Sequence, residues 1–151
     1  MTHFIGAYDC KADAKGRITI PSTLKSQLLP MIEGEFVIRK ALYQKCLDLY
    51  PRAEYDKFVA KLYEDLKVSY KDFDKFQRMF NAGTLPIRIE ENGRMQIPRN
   101  LKVFAGIEKD VVLSSAFDHI EIWDKERYDQ FIEENQKEYD ELAEMIFSRD
   151  E

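Results

Sequence analysis

Residues 13–21 read Asp-Ala-Lys-Gly-Arg-Ile-Thr-Ile-Pro, and 77 positions later residues 90–98 read Glu-Glu-Asn-Gly-Arg-Met-Gln-Ile-Pro. Gly16, Arg17, Ile20, Pro21 and Leu24 coincide with Gly93, Arg94, Ile97, Pro98 and Leu101 without a gap. Further along, Phe36-Val37-Ile38 falls against Val111-Val112-Leu113, and Leu47-Asp48-Leu49-Tyr50 falls against Ile120-Glu121-Ile122-Trp123. Tyr55 and Phe58 then meet Tyr128 and Phe131. The offset drifts from 77 to 75 to 73, as repeated elements joined by loops of unequal length require. The chain is one small module written twice. Units of about 60 to 75 residues are marginal alone, so the two copies are expected to share a core.

Hydrophobic periodicity supplies the elements. Phe4 to Cys10 and Arg17 to Ile20 read as strands around a turn at Lys11 to Gly16. Pro21 suits the first turn of a short helix, with Ser22 and Thr23 as candidate caps and Leu24, Leu28 and Leu29 as its inward side. Glu35 to Arg39 and Cys46 to Tyr50 are further strands. Tyr55, Phe58, Val59, Leu62, Tyr63 and Leu66 recur at helical spacing, and Tyr70, Phe73, Phe76 and Phe80 predict a second helix that ends at Asn81-Ala82-Gly83. The second copy predicts strands near Thr84 to Ile89, Arg94 to Ile97, Val111 to Ser114 and Ile120 to Trp123. A short helix follows Pro98, and one closing helix carries Tyr128, Phe131, Ile132, Tyr139, Leu142, Ile146 and Phe147. The expectation is an α+β fold with modules at 1–80 and 81–151.

Charge and thiols narrow the function classes. The net charge of -5 is unevenly spread. Residues 1–50 hold seven bases and five acids, residues 51–100 ten and eight, and residues 101–151 six and fifteen. The first two thirds are thus mildly positive, and the acidic last third can face away from a polyanion. Cys10 and Cys46 form no C-x-x-C and read as buried thiols in a reducing compartment. The first residues carry no basic flank or apolar run of the kind that makes a signal peptide or membrane span, so a cytoplasmic protein is expected. His3 and His119 have no neighbour at zinc-ligand spacing, and no Ser, His and acid grouping stands out. No enzyme, cofactor or metal is expected.

The candidate site is the repeated turn. Lys11, Lys15 and Arg17 place three cations in seven residues around Gly16, while Arg88, Arg94 and Arg99 form a looser second group around Gly93, offset by Glu90 and Glu91. Arginine can make two parallel bonds to guanine, and lysine neutralises phosphate. Spacing alone also fits a simpler role in which Arg17 bonds Asp13 and shapes the loop. The two uses are compatible, because an acid that orients an arginine preorganises it.

On Asp13-Ala-Lys-Gly-Arg17 with Ile-Thr-Ile-Pro, Gly93-Arg94-Met-Gln-Ile-Pro and Ile120-Glu-Ile-Trp123, the chain resembles the MraZ family of transcriptional regulators, built from two SpoVT-AbrB-type modules. The resemblance covers nearly the whole sequence. It implies a pseudo-twofold swapped-hairpin β-barrel with flanking helices and a closed-ring homo-oligomer. It also implies double-stranded promoter DNA with short direct repeats as the partner, and a place over the nucleoid. As regulator of the division and cell-wall gene cluster, such a protein is expected to repress. The family motif of an acid, three residues and an arginine falls on Asp13 with Arg17 and on Glu90 with Arg94. Asn92 stands where the first loop has Lys15, which favours the first loop as the main reader of DNA. The competing expectation is a protein-interaction or structural module that assembles through its duplicated fold without touching DNA.

Overall fold

The computed structural model describes residues 3–31 and 34–148, so the outermost bounds of both expected modules lie outside the described residues. The first copy runs β1 (Ala7–Lys11), β2 (Arg17–Thr19), α1 (Ser22–Leu28), β3 (Phe36–Lys40), β4 (Leu47–Pro51), α2 (Arg52–Glu64) and α3 (Tyr70–Ala82). The second runs β5 (Thr84–Ile87), β6 (Arg94–Gln96), α4 (Arg99–Ala105), β7 (Asp110–Ser115), β8 (Ile120–Asp124), α5 (Lys125–Glu134) and α6 (Gln136–Phe147).

The two copies are interleaved. Six antiparallel strands lie in the order β1-β7-β8-β4-β3-β5, so each copy's first strand pairs with the other copy's third. A separate ladder joins β2 to β6. The register obeys a pseudo-twofold axis. Asp48 faces Glu121 where β4 meets β8, and Ile18 faces Met95 where β2 meets β6. These partners are the residues that the 73 and 77 offsets relate, so the axis passes through both pairs.

Alternation decides which side is core. Leu47, Leu49, Ile120 and Ile122 face inward and pack with Ile18, Met95, Leu24, Leu28, Ile97 and Leu101 from both copies. Truncating Leu24 or its mate Leu101 to alanine would cost about 2–5 kcal/mol. The outer face of the sheet is covered by helices: Tyr128 and Phe131 of α5 pack near Trp123, and Phe58 and Phe80 of α2 and α3 stack near Tyr50.

Several local expectations change. Ser22 and Thr23 do not cap α1 through their side chains; Pro21 precedes the helix and its carbonyl accepts the Lys25 amide at 2.8 Å. Leu29 is exposed because the chain tightens into a 3-10 turn at Leu29–Met31. The single closing helix divides at Asn135, whose backbone leaves helical geometry at φ -107° and ψ 8°, while its backbone and side-chain amides both donate to the Phe131 carbonyl, at 3.1 and 2.8 Å. The second half, α6, therefore leaves Tyr139, Ile146 and Phe147 exposed. Both thiols are free: burial pushes Cys10 up to about 12 and raises Cys46 further still.

Candidate nucleic-acid interface

The same turn is built twice. In the first, the Asp13 amide donates to the Arg17 carbonyl and the Gly16 amide to the Asp13 carbonyl, both at 3.0 Å. In the second, the Glu90 amide donates to the Arg94 carbonyl at 2.9 Å and the Gly93 amide to the Glu90 carbonyl at 2.8 Å. Gly16 and Gly93 adopt φ of 79° and 84°, a left-handed backbone that favours glycine. A Cβ on Gly16 would stand 3.1 Å from the Ile97 carbonyl oxygen, and one on Gly93 would stand 3.3 Å from that of Ile20.

Those close neighbours belong to the opposite copy. The Ile20 amide donates to the Gly93 carbonyl and the Ile97 amide to the Gly16 carbonyl, each at 2.9 Å. Each loop is thus tied to the other copy, which fixes Arg17 relative to Arg94. Beneath them lie two lysines that the motif alone does not single out. The Lys102 stem is 3.5 Å from the position a Gly16 Cβ would take, and the Lys25 stem 3.2 Å from that on Gly93. They are 77 residues apart, so the repeat itself carried the signal.

Pairing of Arg17 with Gln96 and of Thr19 with Arg94 puts these four side chains on one face, while Ile18 and Met95 turn into the core. Two open grooves flank that face. One, of about 390 Å³, is lined by Lys11, Asp13, Arg17, Asn92, Arg94 and Lys109 among others. The other, of about 280 Å³, is lined by Arg17, Arg88, Glu90, Arg94, Met95 and Gln96. Both arginines border both grooves. Lys11 pairs with Asp110 at 3.1 Å with both side chains exposed, and Lys15 is exposed at the tip of the first turn. Arg88 is also exposed. Arg99 stands apart on the first turn of α4 and lines neither groove.

The loops differ in how they hold their arginine. Asp13 Oδ1 accepts the Lys15 and Arg17 amides at 2.9 Å each, and its Oδ2 takes Arg17 Nε at 2.7 Å. The Arg17 amide above all, then its guanidinium and the Lys15 amide, hold the Asp13 carboxyl down to about 2 despite some desolvation. This arrangement occupies Nε and leaves both terminal amino groups of Arg17 as a fork of donors. In the second loop Asn92 Oδ1 accepts the Arg94 amide at 3.0 Å. No ion pair joins Glu90 to Arg94 among the described residues, so Glu90 shapes its loop through backbone bonds and Asn92 supplies the side-chain bond.

No helix among the described residues is long and apolar enough to cross a membrane. Although spacing offered no metal constellation, the fold brings Cys46, Asp48 and Glu121 together, with one potential donor atom from each lying within 4.8 Å of the others.

The family model described as "MraZ protein, putative antitoxin-like" matches residues 3–79 and again 79–150. A protein of Christiangramia forsetii named "Transcriptional regulator MraZ" is 44% identical over 151 residues, covering 100% of this chain and 97% of its own length. Proteins of the same name from Flavobacterium psychrophilum and Cytophaga hutchinsonii are 41% and 33% identical. These alignments cover 97% and 98% of this chain and 92% and 97% of those proteins.

Proposed function

The chain belongs to the MraZ family, and on that premise we propose that it is a sequence-specific DNA-binding regulator of transcription, acting as a repressor of the division and cell-wall gene cluster. The observation that carries the reading is the convergence of Arg17 and Arg94 on one polar face, each fixed by hydrogen bonds to the opposite copy. Two arginine forks at a set separation suit recognition of guanine edges and phosphates in a duplex. Lys11, Lys15, Arg88 and Lys109 add phosphate contacts around them, and Arg99 extends the contact area along the start of α4.

A single protomer presents few cations, and its net charge is -5. Affinity then comes from assembly. Modules 1–80 and 81–151 close as a swapped-hairpin barrel, and several protomers form a ring whose loops engage short direct repeats. Linking weak sites in this way raises avidity by about 10²–10⁴ with each site unchanged. The exposed Tyr139, Ile146 and Phe147 of α6 supply apolar surface for that assembly. The protein works in the cytoplasm over the nucleoid and needs neither catalytic chemistry nor a cofactor for this role.

The test is a footprint on the division-cluster promoter with purified protein at several salt concentrations, together with light scattering. Protection of regularly spaced repeats by an oligomer is the expected result. Assembly without protection at low salt would replace this reading with the interaction-module one.

A further inference from the structure

On the outer face of the sheet, where the pseudo-twofold axis crosses it, two carboxylates stand directly opposite one another: Asp48 on β4 and Glu121 on β8. Like charges in that position destabilise a sheet, and burial makes the repulsion worse. One cation answers part of the problem. Arg39 Nη2 reaches Asp48 Oδ2 at 3.1 Å, with both side chains more than nine-tenths buried. Glu121 accepts a hydrogen bond from Trp123 Nε1 at 3.0 Å, which brings no charge. Among the described residues Asp48 Oδ1 makes no hydrogen bond, with His119 Nε2 standing 3.5 Å from it, although its side chain is only 6% exposed.

Cys46, fully buried two residues before Asp48, lies on the same face. Its Sγ, an Asp48 carboxylate oxygen and a Glu121 carboxylate oxygen are all within 4.8 Å of one another. Zinc bonds of about 2.0–2.3 Å at tetrahedral angles put ligand atoms about 3.3–3.8 Å apart, so small closing movements suffice. His119, the residue that the 73 offset relates to Cys46, turns Nε2 to within 3.5 Å of Asp48 Oδ1. Its Nδ1 lies 2.7 Å from Asp118 Oδ1, the carboxylate-to-histidine contact that orients metal-bound imidazoles.

We infer that Cys46, Asp48 and Glu121 form a structural site for a thiophilic divalent cation of the zinc type, with the fourth position facing His119. Charge balances. When the cation enters, the Cys46 S–H bond breaks and its proton passes to solvent; one thiolate, two carboxylates, the Arg39 guanidinium and a dication then sum to zero. The orphaned Asp48 oxygen gains a partner, and the facing carboxylates share a ligand instead of repelling. Calcium and magnesium are disfavoured because a thiolate is a poor ligand for them. Because the site pins β4 to β8, its occupancy couples the two copies at their axis.

The test uses the full chain, stripped with chelator and titrated with cobalt(II) as a spectroscopic stand-in for zinc. Expected are one cobalt per chain, a thiolate-to-metal band in the near ultraviolet, a change in Trp123 fluorescence and displacement of cobalt by zinc. Cys46→Ser should abolish the band while Cys10→Ser keeps it. Glu121→Gln, which leaves the thiol in place, should weaken binding by more than the about 10- to 100-fold that loss of an outer-shell partner costs. Absence of the band in the wild-type chain at equimolar cobalt, or a band that depends on Cys10, would overturn the inference whether or not the variants fold.

Discussion

Replacing Arg17 with alanine is the sharpest probe of the proposed DNA face, because the structure gives this side chain a division of labour. Nε is spent on Asp13 at 2.7 Å, and the two terminal amino groups remain for a ligand. A bidentate contact to a base discriminates by about 1–3 kcal/mol. Two engaged repeats double this to about 2–6 kcal/mol, or about 30-fold to more than 10⁴-fold in operator affinity at about 1.4 kcal/mol per decade. Arg94→Ala should cost less, because among the described residues no acid orients Arg94 in the way Asp13 orients Arg17. Asp13→Asn should fall between wild type and Arg17→Ala, since it frees the guanidinium without removing it. Fluorescence anisotropy against operator and scrambled duplexes, on proteins confirmed by light scattering to retain wild-type assembly, measures all three. If Arg94→Ala is the more damaging, or if both arginine variants bind like wild type, the assignment of the first loop as main reader is wrong.

Lys15→Asn, which copies the second loop into the first, should weaken binding to all sequences alike and reduce the slope of log affinity against log salt by about 0.9 for each phosphate that is no longer neutralised, read from titrations at several salt concentrations. Gly16→Ala should destabilise the fold by at least about 1–2 kcal/mol from the left-handed backbone alone, with the 3.1 Å approach to the Ile97 carbonyl adding to it; an unchanged urea midpoint would contradict that. Because the folded Asp13 carboxyl is held at about 2 against an ordinary 3.8, its contribution to stability is complete above about pH 4 and disappears as pH falls through 2; carboxyl titration by NMR should give that low midpoint, and Arg17→Ala should raise it. Arg39→Ala should cost about 3–5 kcal/mol in urea unfolding, since it strands the buried Asp48 carboxylate, and a loss below about 1 kcal/mol would show the pair to be dispensable.

Much of this arrangement was legible because repetition in the sequence is repetition in space. The 77-residue offset located the turns, the two glycines and both arginines before any fold was known, and even the drift to 73 reappears as the residue pairs on the axis. What escaped was whatever depends on the second copy's placement. Nothing local says that β1 pairs with β7, and so nothing local says that Lys102 lies under Gly16 or that Lys109 shares a groove with Arg17. The break at Asn135 was hidden for a different reason: the apolar spacing continues across it, and the interruption lies in the backbone of Asn135 itself, at φ -107° and ψ 8°. Cys46, Asp48 and Glu121 were invisible as a group because two of them lie close together in the chain and the third is 73 residues beyond Asp48 on the facing strand.

Carrying both copies in one chain changes what the axis can hold. In a dimer of identical modules, any residue on a twofold axis faces itself, so an acid there would meet the same acid with the same environment on either side. Here the two positions are free to differ, and they do. Arg39 on β3 has Ser114 as its mate on β7, so the guanidinium neutralises one side of the Asp48–Glu121 pair alone, held among the Tyr50, Phe58 and Phe80 rings at 4.8–5.5 Å. Cys46 opposes His119 under the same operation, and Lys15 opposes Asn92. The frame common to both copies is apolar and backbone-bonded, which keeps two halves of different sequence in one register. These departures from symmetry fall where charge is handled, at the loops proposed to contact DNA and at the acids on the axis. Restoring symmetry at one place should therefore leave the fold intact and change the chemistry there: Asn92→Lys should strengthen binding to any duplex and steepen its salt dependence, whereas loss of assembly in that variant would mean that the asymmetry serves the fold instead.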